Sequence, residues 1–364
     1  KQICGGRDHF QLGKSNSEEL AFLAPVLALE CIVGLAGNGF ALFIFCFHIR
    51  PWRSNTIFLL CLVVADFLLI INLPFRVDYY VHSQTWNFGL GACKANLFML
   101  STNRTASIVF LTAIAFNRYL KVVWPHHTLS KASSGSAAQV SVGLWVLILF
   151  MNVPLLLNNP QPLYSHASCL SFTTNTEDST AQRWHHILYG LEFFLPLGII
   201  LFCIFSIIFV IRQRNLGKKA GARRAMLVLG VVVAVYFFCF LPSIVSAIAS
   251  VLAMRFKDCH ALNICTELFH GALAFTYLNS TLDPVLYCFS SPNFLHQSKM
   301  LLCRGDQSAG INHEQEGDGA PSLLFSPWSP FSWLLFWHPV TISHYSRGQT
   351  WKYSWEKGLD CLPH

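Results

Sequence analysis

The sequence predicts an all-α membrane protein. Seven transmembrane helices form a bundle, and a short amphipathic helix follows the seventh span. Three observations predict it. Of 364 residues, 53% are hydrophobic and only 12% are charged, where soluble domains average about 25% charged. Seven apolar stretches, near 20–47, 55–82, 91–123, 136–158, 184–212, 224–254 and 266–289, are each long enough to cross a bilayer as a helix. They are too continuous for the short alternating strands of a barrel. Finally, Lys and Arg cluster in alternate loops: Arg50 and Arg53, then Arg118, Lys121 and Lys131, then Arg212, Arg214, Lys218, Lys219, Arg223 and Arg224. No Asp or Glu occurs there. The positive-inside rule puts these loops in the cytoplasm and the N-terminus outside. The net charge of +7 reports topology and needs no nucleic-acid partner.

The chain divides into an extracellular N-terminus (1–19), a membrane domain (20–303) and a tail (304–364). No cleavable signal peptide is visible, and Lys1 is not an initiator methionine, so the natural start is expected upstream. The sequons at Asn103 and Asn279 lie inside spans and are not read as glycosylation sites. Pro154, Pro196, Pro242 and Pro284 fall in spans four to seven and should bend them. Residues 292–303 read as a helix on the inner leaflet, with Phe294, Leu295, Leu301 and Leu302 on its apolar side and Cys303 as a candidate for acylation. The aromatic, proline-broken tail is too interrupted for an eighth span. It reads as a doubtful gene product and carries no expected function.

The third stretch organises the rest. A helix from Cys93 to Arg118 spans roughly 38 Å, so a cysteine sits at one water interface and a cationic motif at the other. Arg104 lies roughly 16 Å below Cys93 along that helix, near mid-membrane. A guanidinium keeps its proton there and cannot snorkel so far. An intramembrane charge is by default a functional hypothesis. Two partners are open: Glu192 within the chain, or the carboxylate of a ligand. Arg76, near the outer mouth, either snorkels to the interface or holds an anion. Of the 13 cysteines, most lie in spans as small apolar residues. Cys4, Cys93, Cys169, Cys259 and Cys265 face the oxidising side, and five cannot all pair.

Gly37-Asn38, Asp66, Cys93, Asn117-Arg118-Tyr119, Trp145, Pro196, Phe240-Leu241-Pro242 and Asp283-Pro284-Val285-Leu286-Tyr287 together resemble the motif set of rhodopsin-like G-protein-coupled receptors. The runs Leu100 to Ser107, Pro125-His126-His127, Leu191 to Pro196, Ala274 to Tyr277 and Leu286 to Ser298 are similar to the hydroxycarboxylic-acid and oxoeicosanoid group, most of all to its oxoeicosanoid branch. The resemblance covers about residues 20–303. It implies a plasma-membrane receptor, not an enzyme. The expected ligand is an oxidised long-chain fatty acid of 5-oxo-eicosanoid type, the expected transducer an inhibitory Gi/o protein, and arrestin a further partner.

The resemblance also implies roles residue by residue. Arg104 would hold the ligand acid, with Arg76, Leu100, Ser171, Phe172 and Tyr277 around it. Leu100 stands where amine receptors carry an Asp, so a cationic ligand finds no counter-charge. Cys93 and Cys169 would form a disulfide, and Cys4 would pair with Cys259 or Cys265. Asn117, Arg118, Tyr119 and Tyr287 would form the G-protein switch, and Phe240 with Pro242 an activation switch. Asp66, Ser107, Asn279, Ser280 and Asp283 would hold a sodium ion, as oxygen ligands suit a hard cation, or a proton in a hydrogen-bonded network. No other cofactor is expected. Three departures stand out. Asn117 replaces an acidic residue, Phe240 replaces a tryptophan, and the tail after Arg304 does not resemble the family. A receptor for a small hydroxycarboxylic acid is the nearest alternative. A carboxylate transporter is the alternative from another class, though inverted repeats and paired broken helices are not visible. Neither His-Glu-x-x-His nor Gly-x-Ser-x-Gly occurs, which argues against zinc-protease and serine-hydrolase chemistry.

Overall fold

The computed structural model describes residues 22–301, apart from 84, 128–129, 131–132, 158–168, 170–179, 216, 218 and 257 and the side chains of 157, 180–186 and 263. Seven long helices follow one another: α1 (Leu23–Phe43), α2 (Ser54–Val81), α3 (Gly89–Val123), α4 (Ser134–Asn152), α5 (Thr180–Gln213), α6 in two halves (Ala220–Val235 and Leu241–Phe256) and α7 (Cys259–Ser290). Among the described residues, six of these, α7 excepted, are long and apolar enough to span by hydropathy. Helix α7 has the length but carries Thr276, Asn279, Ser280 and Asp283 inward. Its polarity belongs to the bundle interior, which an intramembrane helix can afford only there. The seventh span starts at Cys259, earlier than its apolar stretch suggested. The α6–α7 connection is short, and Asp258 caps α7 by accepting from the Ala261 N–H.

Burial is inverted relative to a soluble protein. Phe47 and Phe150 are 75% and 74% exposed, while Asp66 and Asp283 are completely buried. Lipid solvates the apolar exterior, and the polar groups pair inside. Packing closes a ring: α1 meets α2 and α7, α2 meets α3, α3 meets α5, α5 meets the lower half of α6, and α6 meets α7. Helix α3 also touches α4, α6 and α7, so its side chains lie at the centre.

The prolines sit differently in their helices. Pro74, Pro196 and Pro284 lie inside continuous helices. In α4 the helix stops at Asn152, and a new turn begins with Pro154 (Pro154–Leu157), where a missing N–H costs nothing. Ahead of Pro242 the chain widens into one π-turn, Tyr236–Phe240, between the two halves of α6. Residues 292–301 are helical, and Phe294 packs on Phe45 and Tyr287 with ring centroids 5.0 and 6.0 Å apart. Residues 1–19 with Cys4, the loop residues Ser171 and Phe172, Lys131, Lys218, Cys303 and the tail 304–364 lie outside the described residues.

Candidate ligand site and the polar axis of the bundle

Helix α3 presents Arg104 to the interior, where it is 7% exposed. Its Nη2 donates to Glu192 Oε2 of α5 at 2.8 Å, with the two side chains 8% and 5% exposed. The internal partner left open by the sequence is therefore the one in place. The Tyr189 ring lies 3.8 Å from the guanidinium carbon, a cation–π contact in a dry site. Tyr189 and Glu192 are three residues apart on α5 and so share a face. Nη1 of Arg104 is buried and has no hydrogen-bond partner. The arginine thus has Nη2 engaged, one face covered and Nη1 unpartnered.

Arg76 does not snorkel. It is 5% exposed, donates from Nη1 to the carbonyl of Cys169 at 2.9 Å and lies over the Tyr79 ring at 5.5 Å. Cys169 is bridged to Cys93, as expected. Arg76 and the disulfide therefore hold the same loop residue, one by its backbone and one by its sulfur. Leu100 and Tyr277 both belong to the buried outer cluster, with Leu69, Leu73, Leu97 and Ala274. Tyr277 lies within electrostatic range of Arg76, Arg104 and Glu30. Of the candidate ligand residues, Arg104, Leu100 and Tyr277 share the bundle interior, Arg76 holds the loop, and Ser171 and Phe172 are not described.

Cys259 is also disulfide-bonded, whereas Cys265 is a thiol. The other described cysteines are thiols or form the Cys93–Cys169 bridge, so the partner of Cys259 lies outside the described residues. Of the two pairings left open for Cys4, the one through Cys265 is not formed.

Deeper in the bundle, Asp66, Ser107, Asn279, Ser280 and Asp283 are each at most 1% exposed. The Tyr287 hydroxyl lies 3.0 Å from Asp66 Oδ2 and 3.2 Å from Asn38 Oδ1. Asn279 Nδ2 donates to Asp283 Oδ2 at 3.5 Å. Ser280 is shared: its side chain hydrogen-bonds the Asp66 carboxyl, its hydroxyl accepts from Asn103 Nδ2 at 3.3 Å and its carbonyl from Asn38 Nδ2 at 2.8 Å. Four oxygens remain without partners: Asp66 Oδ1, Ser107 Oγ, Asn279 Oδ1 and Asp283 Oδ1. Buried acceptors left unpaired are costly, and a donor set of two carboxyls, an amide and a hydroxyl fits a hard monovalent cation. Among the described residues, no group of three His, Cys, Asp or Glu could hold a metal. These oxygens are of the type that a hard cation such as sodium takes.

Phe240 is 1% exposed and packs edge-on to Tyr236 at 5.5 Å. The Tyr236 hydroxyl reaches α3 at Thr112 Oγ1, 3.3 Å away. Thr276 of α7 donates to the Cys239 carbonyl at 3.1 Å, so α7 is tied to the π-turn before Pro242. At the inner end, Arg118 Nη2 donates to the carbonyl of Ser290. Asn117 Nδ2 has no partner, and Tyr119 stacks on Phe116 and leans on Phe202 of α5.

Sequence reasoning missed several of these residues. Glu30 of α1 is 7% exposed with Oε2 unpaired. It is an acid inside a span, and the rule that singled out Arg104 could have found it. Asn103, set aside as a false sequon, is 1% exposed and ties α3 to α2 and α7 through Ala65 and Ser280. No sequence signal distinguishes Tyr189 from the other aromatics of α5.

Residues 37–287 match the 7 transmembrane receptor (rhodopsin family) description. The chain is 65% identical over 313 residues to human oxoeicosanoid receptor 1, covering 86% of this chain and 79% of that protein. It is 42% identical to human hydroxycarboxylic acid receptor 3, covering 99% and 95%. Against the mouse 12-(S)-hydroxy-5,8,10,14-eicosatetraenoic acid receptor it is 33% identical, covering 77% and 88%. Helices, motif set and relatives agree: the chain belongs to the rhodopsin family of seven-transmembrane G-protein-coupled receptors, multi-pass proteins of the plasma membrane that are not enzymes, in the group of the oxoeicosanoid and hydroxycarboxylic acid receptors.

Proposed function

We propose that this receptor recognises an oxidised long-chain fatty acid, a 5-oxo-eicosanoid, from the extracellular side and signals to an inhibitory Gi/o protein, with arrestin as a further partner. The observation that carries the reading is Arg104: a buried guanidinium at mid-bundle whose Nη1 has no partner. Arginine suits a carboxylate through two parallel hydrogen bonds. One turn outward, Leu100 lies in an apolar cluster with Leu69, Leu73 and Leu97, surface that suits a hydrocarbon chain. The chain length is supported by the names of the relatives, two of which are receptors of eicosanoids. In this reading the N-terminus is extracellular, as the basic loops require. Sodium, held by Asp66, Ser107, Asn279, Ser280 and Asp283, acts as an allosteric ligand of the same bundle.

The test is Arg104→Ala, read as binding of radiolabelled 5-oxo-eicosatetraenoic acid and as G-protein activation at matched surface expression. Losing a desolvated ion pair costs ~3–5 kcal/mol, several hundred-fold or more in affinity. Arg104→Lys should recover part, since an ammonium cannot make the paired contact. The methyl ester should be weak on the parent and lose little further on Arg104→Ala. Lactate, a small hydroxy acid, serves as the comparison ligand. Parental potency of the free acid on a surface-expressed Arg104→Ala receptor would end the reading.

A further inference from the structure

Glu192 and Arg104 form a pair that a ligand acid cannot ignore. A carboxylate bound end-on to Arg104 takes one hydrogen bond from Nη1 and one from Nη2, and Glu192 Oε2 already holds Nη2 at 2.8 Å. We propose that Glu192 is a built-in competitor for the anion site, so that a ligand carboxylate binds by taking Arg104 from Glu192. The proposal rests on the reading of Arg104 as the ligand anchor and adds the residue that sets its threshold.

Three features support exchange over simple addition. The site is dry, with side chains 8% and 5% exposed. Two carboxylates on one guanidinium would leave a net negative charge in low dielectric, where like charges repel strongly. Among the described residues, the other buried arginine of the outer bundle, Arg76, is turned to the Cys169 carbonyl. Next, the arginine is the fixed partner. Its face is packed on Tyr189 at 3.8 Å, so the exchange moves the glutamate. Finally, Glu192 sits on a loosened turn of α5. Pro196 has no N–H, and the carbonyl it fails to serve in the helix is that of the residue four before it, Glu192. Displacing the Glu192 side chain therefore acts where α5 has lost a backbone hydrogen bond. The contact on the far side is Thr105 of α3, beside the Glu192 carboxylate and itself accepting from Asn152 of α4 at 3.3 Å.

A competitor has a signature that a purely structural ion pair lacks, because removing its charge tightens ligand binding. Glutamine keeps the shape and an acceptor for Nη2 but not the charge. Glu192→Gln should bind 5-oxo-eicosatetraenoic acid roughly ten-fold more tightly or better, since the ligand no longer has to unseat a charged partner. Glu192→Asp keeps the charge on a shorter arm and should show a smaller gain. The methyl ester, which cannot replace a carboxylate on Arg104, should gain nothing. All are measured as radioligand binding or displacement on membranes expressing the full chain. Unchanged or weaker acid binding by Glu192→Gln overturns the proposal. Should Glu192→Gln fail to reach the surface, Glu192→Asp decides by the same criterion. The anchor and the competitor fail differently. If Arg104→Ala binds the acid like the parent, the anchor falls and the competitor with it. If Arg104→Ala loses the acid and Glu192→Gln gains nothing, the anchor stands and the competitor is refuted.

Discussion

Arg118 of α3 donates to the backbone carbonyl of Ser290, the last residue of α7. Asn55 of α2 donates to the same oxygen at 3.2 Å. One neutral carbonyl thus gathers three helices at the inner face, in a position where an arginine usually takes a carboxylate. Asn117, next in the chain, is 9% exposed, and its Nδ2 has no partner.

Asn117→Asp should therefore lower agonist-free signalling. An aspartate beside Arg118 supplies the ionic partner that the parent lacks and favours the resting arrangement by ~1 kcal/mol, several-fold in population. The measurement is basal G-protein activation at equal surface expression. Equal basal activity in parent and variant would remove the argument.

Replacing sodium with a large organic cation should raise agonist affinity several-fold in the parent. The four unpartnered oxygens of Asp66, Ser107, Asn279 and Asp283 would then lose their cation and the state it favours, by linkage between the two sites. Asp66→Asn should abolish the sensitivity to sodium. Agonist affinity that ignores the cation in the parent would show that a proton or the network itself balances the two carboxyls.

The extracellular cysteines should react unequally. A membrane-impermeant maleimide applied without reductant should label Cys265, which is a half-buried thiol. It should spare Cys93, Cys169 and Cys259, which are oxidised. Peptide mapping under non-reducing conditions identifies the partner of Cys259. Recovery of Cys259 as a free thiol would contradict the structure. Opening the Cys93–Cys169 bridge should cost ~2–4 kcal/mol of stability.

Gly37→Ala should destabilise the α1–α7 contact. A Cβ there would meet Cγ of Pro284 at 2.9 Å, and the proline ring cannot swing away. Overpacking of this kind costs ~1–3 kcal/mol. Gly39 is the control on the same helix, with nothing within 4 Å of an added Cβ, so Gly39→Ala should be neutral or slightly stabilising. Thermal unfolding of the detergent-solubilised receptor reads both. A Gly37→Ala receptor as stable as Gly39→Ala would show that α1 shifts freely against α7.

Much of this protein was decided by composition and one-dimensional pattern. Apolar runs longer than a bilayer, polar residues set within them and basic loops between them leave a seven-helix membrane bundle as the arrangement that satisfies every backbone group. The motif set placed Cys93 against Cys169, and marked Arg104, Asp66 and Arg118 as charges that need partners. For Arg104 the sequence already named Glu192 as the internal candidate; that this pair forms, and which partners Arg76 and Arg118 take, was decided by tertiary structure. Arg104 lies 88 residues from Glu192, Arg76 lies 93 from Cys169 and Arg118 lies 172 from Ser290. The sequence reading singled out Glu192 and passed over Glu30, the other acid within a span, and nothing in the local pattern of either says which way it faces. That follows from the rotation of α1 and α5 about their own axes. Rotation is set by how side chains interdigitate across neighbouring helices, a property of pairs of helices that no single segment encodes.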